Sequence, residues 1–382
     1  MNDPGARPPL ALTDLGPEEA AALVQRLGEE PFRARQLLRA AWRTGAASFA
    51  EMTGLPRDFR ERLARELAVR ALSRPAGDSG EIVSADGLTV KRIHRTWDGH
   101  EIESVWLEAP AAARSRRRLT ACVSSQIGCA FGCAFCASGA GGLVRSLRAA
   151  EIAEQAVAPS GERPSHVVVM GMGEPMANYD EVLAAIEILN APWGPGIGAR
   201  RITVSTVGLV AGIRRLAAEE LQVELAISLH APDDGTRRRL CPGARATVAE
   251  IMRAAREYAG RTGRLVTFEY ALVSGVNDSP GQARELARRL TGMKAKVNLI
   301  PLNPVGAARS DRLPRRRAGA PAAELDAPPA GDVKRFLAEL RRGGVKATVR
   351  RERGADVGAA CGQLRWRRLD PSAGARAGDP AT

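Results

Sequence analysis

One loop decides the fold of this chain: Ser124-Ser125-Gln126-Ile127-Gly128-Cys129-Ala130-Phe131-Gly132-Cys133-Ala134-Phe135-Cys136. Its cysteines follow the spacing C-x3-C-x2-C. A structural zinc site and a closed iron-sulfur centre each take four protein ligands. Three thiolates therefore leave one metal position open to a ligand from outside the protein. A zinc loop or a group of buried thiols is the alternative interpretation of the same residues.

This loop resembles that of the radical S-adenosylmethionine (SAM) enzymes, which usually carry an aromatic residue, here Phe135, beside the last cysteine. The resemblance implies that Cys129, Cys133 and Cys136 hold a 4Fe-4S cluster. It implies that the amino and carboxylate groups of SAM bind the fourth iron. An electron donor such as flavodoxin or ferredoxin follows from the same resemblance.

The composition indicates a cytoplasmic protein with a sizeable core. The chain has 382 residues, of which 45% are hydrophobic, and no run approaches the roughly 18 apolar residues of a membrane span. Residues 1–10 lack the basic and apolar regions of a secretory signal. Six cysteines in so long a chain do not make a disulfide scaffold, which favours metal-binding or catalytic thiols. We expect a monomer without membrane contact.

The charge suits a partner that carries many phosphates. Fifty-six Lys and Arg against 43 Asp and Glu give a formal net charge of +13, and nucleic acid is the natural candidate. An arginine-rich composition that only keeps the protein soluble would give the same charge.

The N-terminal part divides into two regions. Residues 1–76 are predicted to form a small helical domain, because apolar residues recur there at helical spacing between glycine and proline breaks. Residues 77–114 change to a period of two, with Asp86-Gly87 and Asp98-Gly99 where hairpin turns are expected. This pattern predicts a short antiparallel β extension.

Residues 115–364 alternate short apolar runs with amphipathic stretches, which predicts parallel strands joined by crossover helices. The fold class is α/β, and the resemblance implies a partial (β/α)6 radical SAM barrel with the chemistry at the carboxyl ends of its strands. The predicted strands are 119–123, 166–170, 202–205, 223–229, 265–273 and 296–300, and the predicted helices are 148–158, 180–189, 209–220, 248–259 and 282–290.

The C-terminal part is less regular. Residues 305–331 are rich in Ala, Pro and Arg, so we expect a mobile loop there. A helix over 332–342 and a strand over 345–350 then bring the chain back toward the site. Residues 365–382 are predicted to be a disordered tail.

Four motifs in order give a closer resemblance. They are Cys122-Val123-Ser124-Ser125-Gln126, Gly171-Met172-Gly173-Glu174-Pro175, Ser228-Leu229-His230-Ala231-Pro232 and Ala359-Ala360-Cys361-Gly362-Gln363-Leu364. Together they look like the bacterial dual-specificity adenine-C2 methyltransferases, which modify 23S rRNA in the peptidyl-transferase centre and tRNA next to the anticodon. The resemblance runs from about Pro31 to Leu364.

The family resemblance implies a set of SAM contacts. Taken singly, these residues would be capping or loop residues near strand ends. By their position in the motifs, the residues that would contact SAM are Gly173, Glu174, Ser205, Ser228, Leu229, His230 and Asn303.

The resemblance also implies the catalytic residues. Cys361 would accept a methyl group from one SAM, and a radical generated from a second SAM would activate that methyl group for addition to adenine C2. Cys122 would then release the protein-RNA crosslink and leave a transient Cys122-Cys361 disulfide. Glu103 would accept the C2 proton, although a strand glutamate alone suggests only a solvated side chain. Cys241, where the family has an apolar residue, is interpreted as structural.

Two alternatives remain open at this stage. A sister enzyme that methylates C8 of the same adenosine carries the same functional cysteines, but Glu174-Pro175 and the stretch 300–304 resemble the C2 enzymes more. A non-catalytic RNA-binding protein would not need Cys361. Gly142-Leu143-Val144-Arg145-Ser146-Leu147 departs from the family pattern, which leaves the choice of RNA substrate open.

Overall fold

The computed structural model describes residues 9–73, 80–109, 118–158, 161–303 and 325–365, with the backbone of 367–368. Most of the segment 305–331 and of the predicted tail lies outside these residues. Within the described ranges, no helix is both long and apolar enough to span a membrane.

The N-terminal residues form the predicted helical module. Its helices are α1 (Pro17–Arg26), α2 (Phe32–Arg43) and α3 (Arg57–Glu66). Pro17 at the first turn and the Gly16 N–H bond to the Glu19 carboxylate, 2.8 Å, fix the start of α1. Trp42 and Phe59 are fully buried, so the module is held by its own apolar faces.

Three antiparallel strands follow, and both predicted hairpin turns are present. The strands are β1 (Glu81–Val83), β2 (Thr89–Arg95) and β3 (His100–Glu108). Gly87 and Gly99 take φ values of 68° and 79°, which glycine adopts without steric cost. Strand β3 also pairs with the first strand of the next region, so the extension and the barrel share one sheet.

The parallel region confirms the predicted α/β fold. Its parallel strands are β4 (Leu119–Cys122), β7 (His166–Val169), β8 (Ile202–Thr206), β9 (Glu224–Ser228), β10 (Val266–Leu272), β11 (Ala295–Pro301) and β12 (Lys346–Val349), paired in that order. The helices are α4 (Ala149–Glu154), α5 (Tyr179–Asn190), α6 (Val210–Ala218), α8 (Val248–Thr262), α9 (Pro280–Leu290) and α10 (Ala330–Arg342). Among the described residues β12 pairs with β11 alone, so the barrel they form is open on that side.

The structure adds elements that the sequence pattern did not predict. A small hairpin, β5 (Gln126–Gly128) and β6 (Leu143–Ser146), encloses the cysteine loop, and α7 (Asp234–Leu240) follows the Ser-Leu-His motif. Residues 367–368, assigned above to a disordered tail, pair with β3 as strand β13. In the described structure β4 covers only the Val105–Glu108 part of this edge of β3. The rest of the edge, at His100 and Glu101, is therefore available for pairing with residues 367–368.

Candidate active site

The three loop cysteines face a common cavity of about 180 Å³ at the carboxyl ends of the strands. They lie between β5 and β6, and the loop is fastened from two sides. The Ala134 N–H donates to the Leu240 carbonyl, 2.8 Å, and the Ala137 N–H donates to the Gly362 carbonyl, 2.7 Å. The loop therefore has a fixed place relative to α7 and to the C-terminal motif.

The surroundings of these thiols favour neutral sulfur in the absence of a metal. Burial raises the pKa of Cys129 to about 12 and also raises that of Cys136. A hydrogen bond with Cys241, followed by burial, raises the pKa of Cys133. Metal binding would have to displace these protons, which is the ordinary cost of a cysteine metal site.

The donor set suits an iron-sulfur cluster. Three cysteine side chains line one cavity together with Gly173, Glu174 and polar groups at the strand ends, which leaves space for a cofactor beside the sulfurs. Within the described ranges no three His, Cys, Asp or Glu side chains converge closely enough to hold a single metal ion. Soft thiolates facing a shared space fit a cluster with an open position.

The Gly-Met-Gly-Glu-Pro segment packs directly against the cysteine loop. Gly173 has a φ of 98°, and a Cβ there would lie 2.6 Å from Cβ of Gln126. Only glycine permits this approach. The Glu174 N–H in turn donates to Oε1 of Gln126, 2.9 Å.

Glu174 is a buried carboxyl with several donors around it. Its Oε1 accepts from the Met176 N–H at 3.1 Å, and its Oε2 accepts from the Val207 N–H at 2.7 Å. Burial outweighs these bonds and raises its pKa to about 7. The side chain lines the cavity, so a cationic ligand there would meet a carboxyl that changes charge near neutral pH.

The serines at the ends of two adjacent strands face each other. The hydroxyls of Ser205 and Ser228 are 3.4 Å apart, and both side chains line the cavity. Leu229, between Ser228 and His230, is fully buried in the core. Any contact between Leu229 and a ligand in the cavity would therefore use its backbone.

His230 is held as a neutral imidazole at the cavity wall. Its Nδ1 accepts from the Ala271 N–H at 2.9 Å, which leaves the proton on Nε2. Burial, followed by the charge of Arg237, lowers its pKa to about 3. Its ring packs edge to face on Phe135, with centroids 4.7 Å apart. His230 can thus donate a hydrogen bond without carrying charge.

The C-terminal motif docks onto the cysteine loop. Asn303 donates from Nδ2 to the Cys361 carbonyl, 3.1 Å, and Ser138 donates to the Leu364 carbonyl, 2.8 Å. Gly362 has a φ of 85°, and a Cβ there would lie 2.8 Å from the Phe135 carbonyl oxygen. Cys361 consequently lines the same cavity as the three loop cysteines.

Cys122 and Cys361, 239 positions apart in sequence, are brought into each other's electrostatic reach. Cys122 ends β4 in register with Val168 of β7. Burial, followed by the charge of the Cys361 sulfur, raises its pKa to about 12. Both residues are half-buried, and in the described structure neither forms a disulfide.

Glu103 does not line the cavity in this conformation. Its carboxylate lies on β3, 7% exposed, where it pairs with Lys91 Nζ at 3.3 Å and accepts from the Arg365 N–H at 3.0 Å. It therefore sits under the segment that follows Cys361. The carboxylate of Glu103 thus contacts the residue after the C-terminal motif, whereas its backbone carbonyl accepts from the Ser124 hydroxyl at 2.7 Å.

Three charged residues at or behind the site were missed by the sequence analysis. Arg350 and Glu269 line the small cavity and also a larger one of about 670 Å³, in company with Cys361. Arg237, fully buried, donates to the carbonyls of Ser228 and Val207 and so braces the strand ends from behind. These charged residues are not part of any motif with a recognisable spacing. Only the folded structure shows that they lie near the site.

The chain matches two family models. The radical SAM superfamily model matches residues 123–287, and the model of the ribosomal RNA large subunit methyltransferase N-terminal domain matches residues 10–69. The first match contains the cysteine loop and the second covers the helical module.

Similar proteins span nearly the whole chain. A probable dual-specificity RNA methyltransferase RlmN of Symbiobacterium thermophilum is 46% identical over 92% of this chain and 90% of its own length. Another of Moorella thermoacetica is 46% identical over 93% and 97%. The crystal structure of a radical SAM methyltransferase from Sphaerobacter thermophilus superposes with a TM-score of 0.83 at 44% identity, covering 94% of this chain and 99% of that one.

Proposed function

We propose that this chain, which belongs to the RlmN family of radical SAM RNA methyltransferases, methylates carbon C2 of an adenosine in 23S rRNA and in tRNA. The methyl group is carried on Cys361 before it reaches the RNA. One observation carries the proposal: Cys361 faces the cavity of the three loop cysteines and also stands within the electrostatic reach of Cys122. A scaffold protein would have no use for that arrangement.

The cavity supplies the cofactor contacts. Cys129, Cys133 and Cys136 would hold a 4Fe-4S cluster, which when bound supplies the electron for reductive cleavage of SAM. The residues that would bind and orient SAM are Gly173, Glu174, Ser205, Ser228, the backbone at Leu229, His230 and Asn303. Flavodoxin or ferredoxin is the proposed electron donor.

The residues around SAM differ in charge, and this suits its zwitterionic amino-acid end. Glu174, a carboxyl with a pKa near 7, would favour the ammonium group in its ionised form. Neutral His230 would donate from Nε2 to an acceptor of SAM without adding positive charge beside the sulfonium. Ser205 and Ser228 offer paired hydroxyls for a ribose or carboxylate.

Cys361 and Cys122 act in different steps of the carbon transfer. The Cys361 thiolate attacks the methyl carbon of SAM, so a sulfur-carbon bond forms and S-adenosylhomocysteine leaves. This indirect route suits adenine C2, an electron-poor carbon that cannot itself displace the methyl group of SAM. After the carbon has bonded to C2, the Cys122 thiolate attacks the Cys361 sulfur and a disulfide forms. The bond from the Cys361 sulfur to the transferred carbon breaks, its electron pair stays on that carbon, and the carbon takes up a proton to become the methyl group of the released RNA.

Glu103 is the proposed acceptor of the C2 proton. In the present conformation the Arg365 N–H and Lys91 occupy its oxygens. Glu103 can therefore act only when the segment after Cys361 shifts away from it. Such a shift must break the bond from the Arg365 N–H to Glu103, while the bonds from Ser138 to the Leu364 carbonyl and from Asn303 to the Cys361 carbonyl hold the preceding residues.

The RNA substrates are proposed from the family and from charge. The formal charge of +13 favours phosphate contacts, and the N-terminal module corresponds to the domain matched by the ribosomal RNA methyltransferase model. A larger cavity beside Cys361 offers room for a base that enters from outside the barrel.

The proposal is tested by methylation of RNA with anaerobically reconstituted protein. A 23S rRNA fragment and a tRNA are incubated side by side with SAM and a reductant, and digested nucleosides are identified by mass spectrometry. We expect 2-methyladenosine from the wild-type protein and none from Cys361→Ala, which should still bind iron. A product that contains only 8-methyladenosine would overturn the C2 assignment, and methylation by Cys361→Ala would overturn the mechanism.

A further inference from the structure

One arginine lies within the electrostatic reach of both proposed catalytic sulfurs. Arg350 directly follows β12, and its N–H donates to the Leu299 carbonyl at 2.8 Å, which anchors its backbone to the neighbouring strand. Its side chain lines both cavities, as do Cys361 and Glu269. The guanidinium lies close enough to the sulfurs of Cys361 and Cys122 for both to raise its pKa.

We propose that Arg350 serves both catalytic sulfurs in turn, holding Cys361 as a thiolate for methyl acceptance and later Cys122 as a thiolate for release of the product. This inference rests on the proposed function, because that function assigns a nucleophilic step to each cysteine. It adds a residue that neither the sequence pattern nor the family resemblance supplied.

The chemistry requires such a cation because both sulfurs must react from a partly buried place. Burial disfavours thiolates, as the pKa of Cys122 near 12 indicates. A neighbouring guanidinium favours the charged form, and the Cys361 sulfur correspondingly raises the pKa of Arg350. Two thiolates side by side would repel each other, so one cation can stabilise only one of them effectively at a time.

Methylation itself switches the partner of Arg350. Before the first step, Cys361 releases its proton to solvent, and its thiolate lies beside the guanidinium. The thiolate forms a bond to the methyl carbon, and the bond of that carbon to the sulfonium of SAM breaks with its electron pair left on S-adenosylhomocysteine. Cys361 is then an uncharged thioether. Arg350 loses its anionic partner and becomes available to Cys122.

The remaining charged groups near the guanidinium fit this role. Glu269 lies on β10, 6% exposed, and accepts a hydrogen bond from Asn298 at 2.8 Å. Its charge acts on Arg350, and Arg350 in turn favours the ionised form of Glu269 against its burial. Glu269 therefore attracts the guanidinium and competes with the two thiolates for its charge.

The test uses reduced, cluster-free full-length protein and a small alkylating probe. Wild-type, Arg350→Gln and Arg350→Lys proteins are treated with iodoacetamide at one pH, and the alkylation rate of each cysteine is read from its peptide by mass spectrometry. Lys346→Gln is the matched control, because it removes a positive charge from the exposed start of the same strand. Cys241, fully buried, reports any unfolding in the same sample.

The expected rates follow from thiolate chemistry. Loss of the guanidinium removes a cation that stabilises the Cys361 thiolate, so less of the reactive form is present, while the greater basicity of the sulfur offsets part of that loss. Alkylation of Cys361 should therefore slow about tenfold in Arg350→Gln, and stay within about threefold of wild type in Arg350→Lys and Lys346→Gln. In a Cys361→Ser background, Arg350→Gln should slow Cys122 by a similar factor.

Unchanged rates at Cys361 or Cys122 in folded Arg350→Gln protein would overturn the inference. If that variant exposes Cys241, Glu269→Gln decides instead, because removal of the competing carboxylate should accelerate Cys361 alkylation about threefold. A rate that is unchanged or slower in Glu269→Gln would then overturn the inference. Failure of the proposed function looks different, since it would show as wild-type protein that methylates no RNA.

Discussion

Replacing Gly362 by alanine should detach Cys361 from the site without unfolding the barrel. A Cβ at Gly362 would lie 2.8 Å from the Phe135 carbonyl, and the φ of 85° adds strain of about 1 kcal/mol. To relieve the contact, the segment around Gly362 must move, which breaks the hydrogen bond from the Ala137 N–H to the Gly362 carbonyl. Loss of that bond costs about another 1 kcal/mol. About 2 kcal/mol lowers the ratio of docked to undocked segment roughly thirtyfold.

The assay is the fraction of Cys361 that carries a methyl group after reconstituted protein is incubated with SAM under reducing conditions. Gly358→Ala is the matched control, because Gly358 has a similar φ of 62° but a Cβ there would meet only Lys91 Nζ at 3.5 Å. We expect the initial rate of methylation in Gly362→Ala to fall at least tenfold, and that of Gly358→Ala to remain within about threefold of wild type. Equal rates in the two variants would show that docking on the Phe135 carbonyl does not position Cys361.

Three further predictions concern the cavity. In cluster-free protein the pKa of Glu174 is raised, so between pH 4.5 and 7 the folded chain keeps a proton that the unfolded chain releases. As the pH rises through this range, the free energy of unfolding should fall by up to about 3 kcal/mol. Urea titrations of Glu174→Gln should not show this fall. Cys241→Ala should still bind roughly four iron atoms per chain by iron assay, whereas Cys133→Ala should not. Gly173→Ala should weaken SAM binding in equilibrium dialysis at least tenfold, because its Cβ would meet Gln126, while Gly275→Ala, with an open surround, should leave binding unchanged.

Much of the fold could be predicted because the period of the apolar residues changes with each region. Strands such as His166–Val169 and Ile202–Thr206 are short apolar runs between amphipathic helices, and their parallel pairing follows from that alternation. The hairpin β5–β6 and helix α7 were missed. They are short and their residues also serve the site, so local propensity says little about them.

The site was predicted unevenly for a physical reason. The loop cysteines lie close together in sequence, and so do Gly173 and Glu174. The spacing within each stretch is enough to indicate its chemical role. Cys122 and Cys361 meet only through the pairing of β4 in the sheet and the docking of the C-terminal motif, so family resemblance had to supply them. No sequence motif around Arg350 indicates which residues it contacts. Its proposed role depends entirely on where the fold places it.

Cys361 is the carrier of the transferred carbon in the proposed mechanism, and every later step depends on that role. Protein whose Cys361 has first been methylated with carbon-13 SAM, and then freed of excess label, is given RNA, reductant and unlabelled SAM for a single turnover. We predict that the methyl group on adenine C2 contains carbon-13 and that the label disappears from Cys361 in equal amount. Unlabelled methyladenosine formed while Cys361 keeps its carbon-13 methyl group would contradict the account.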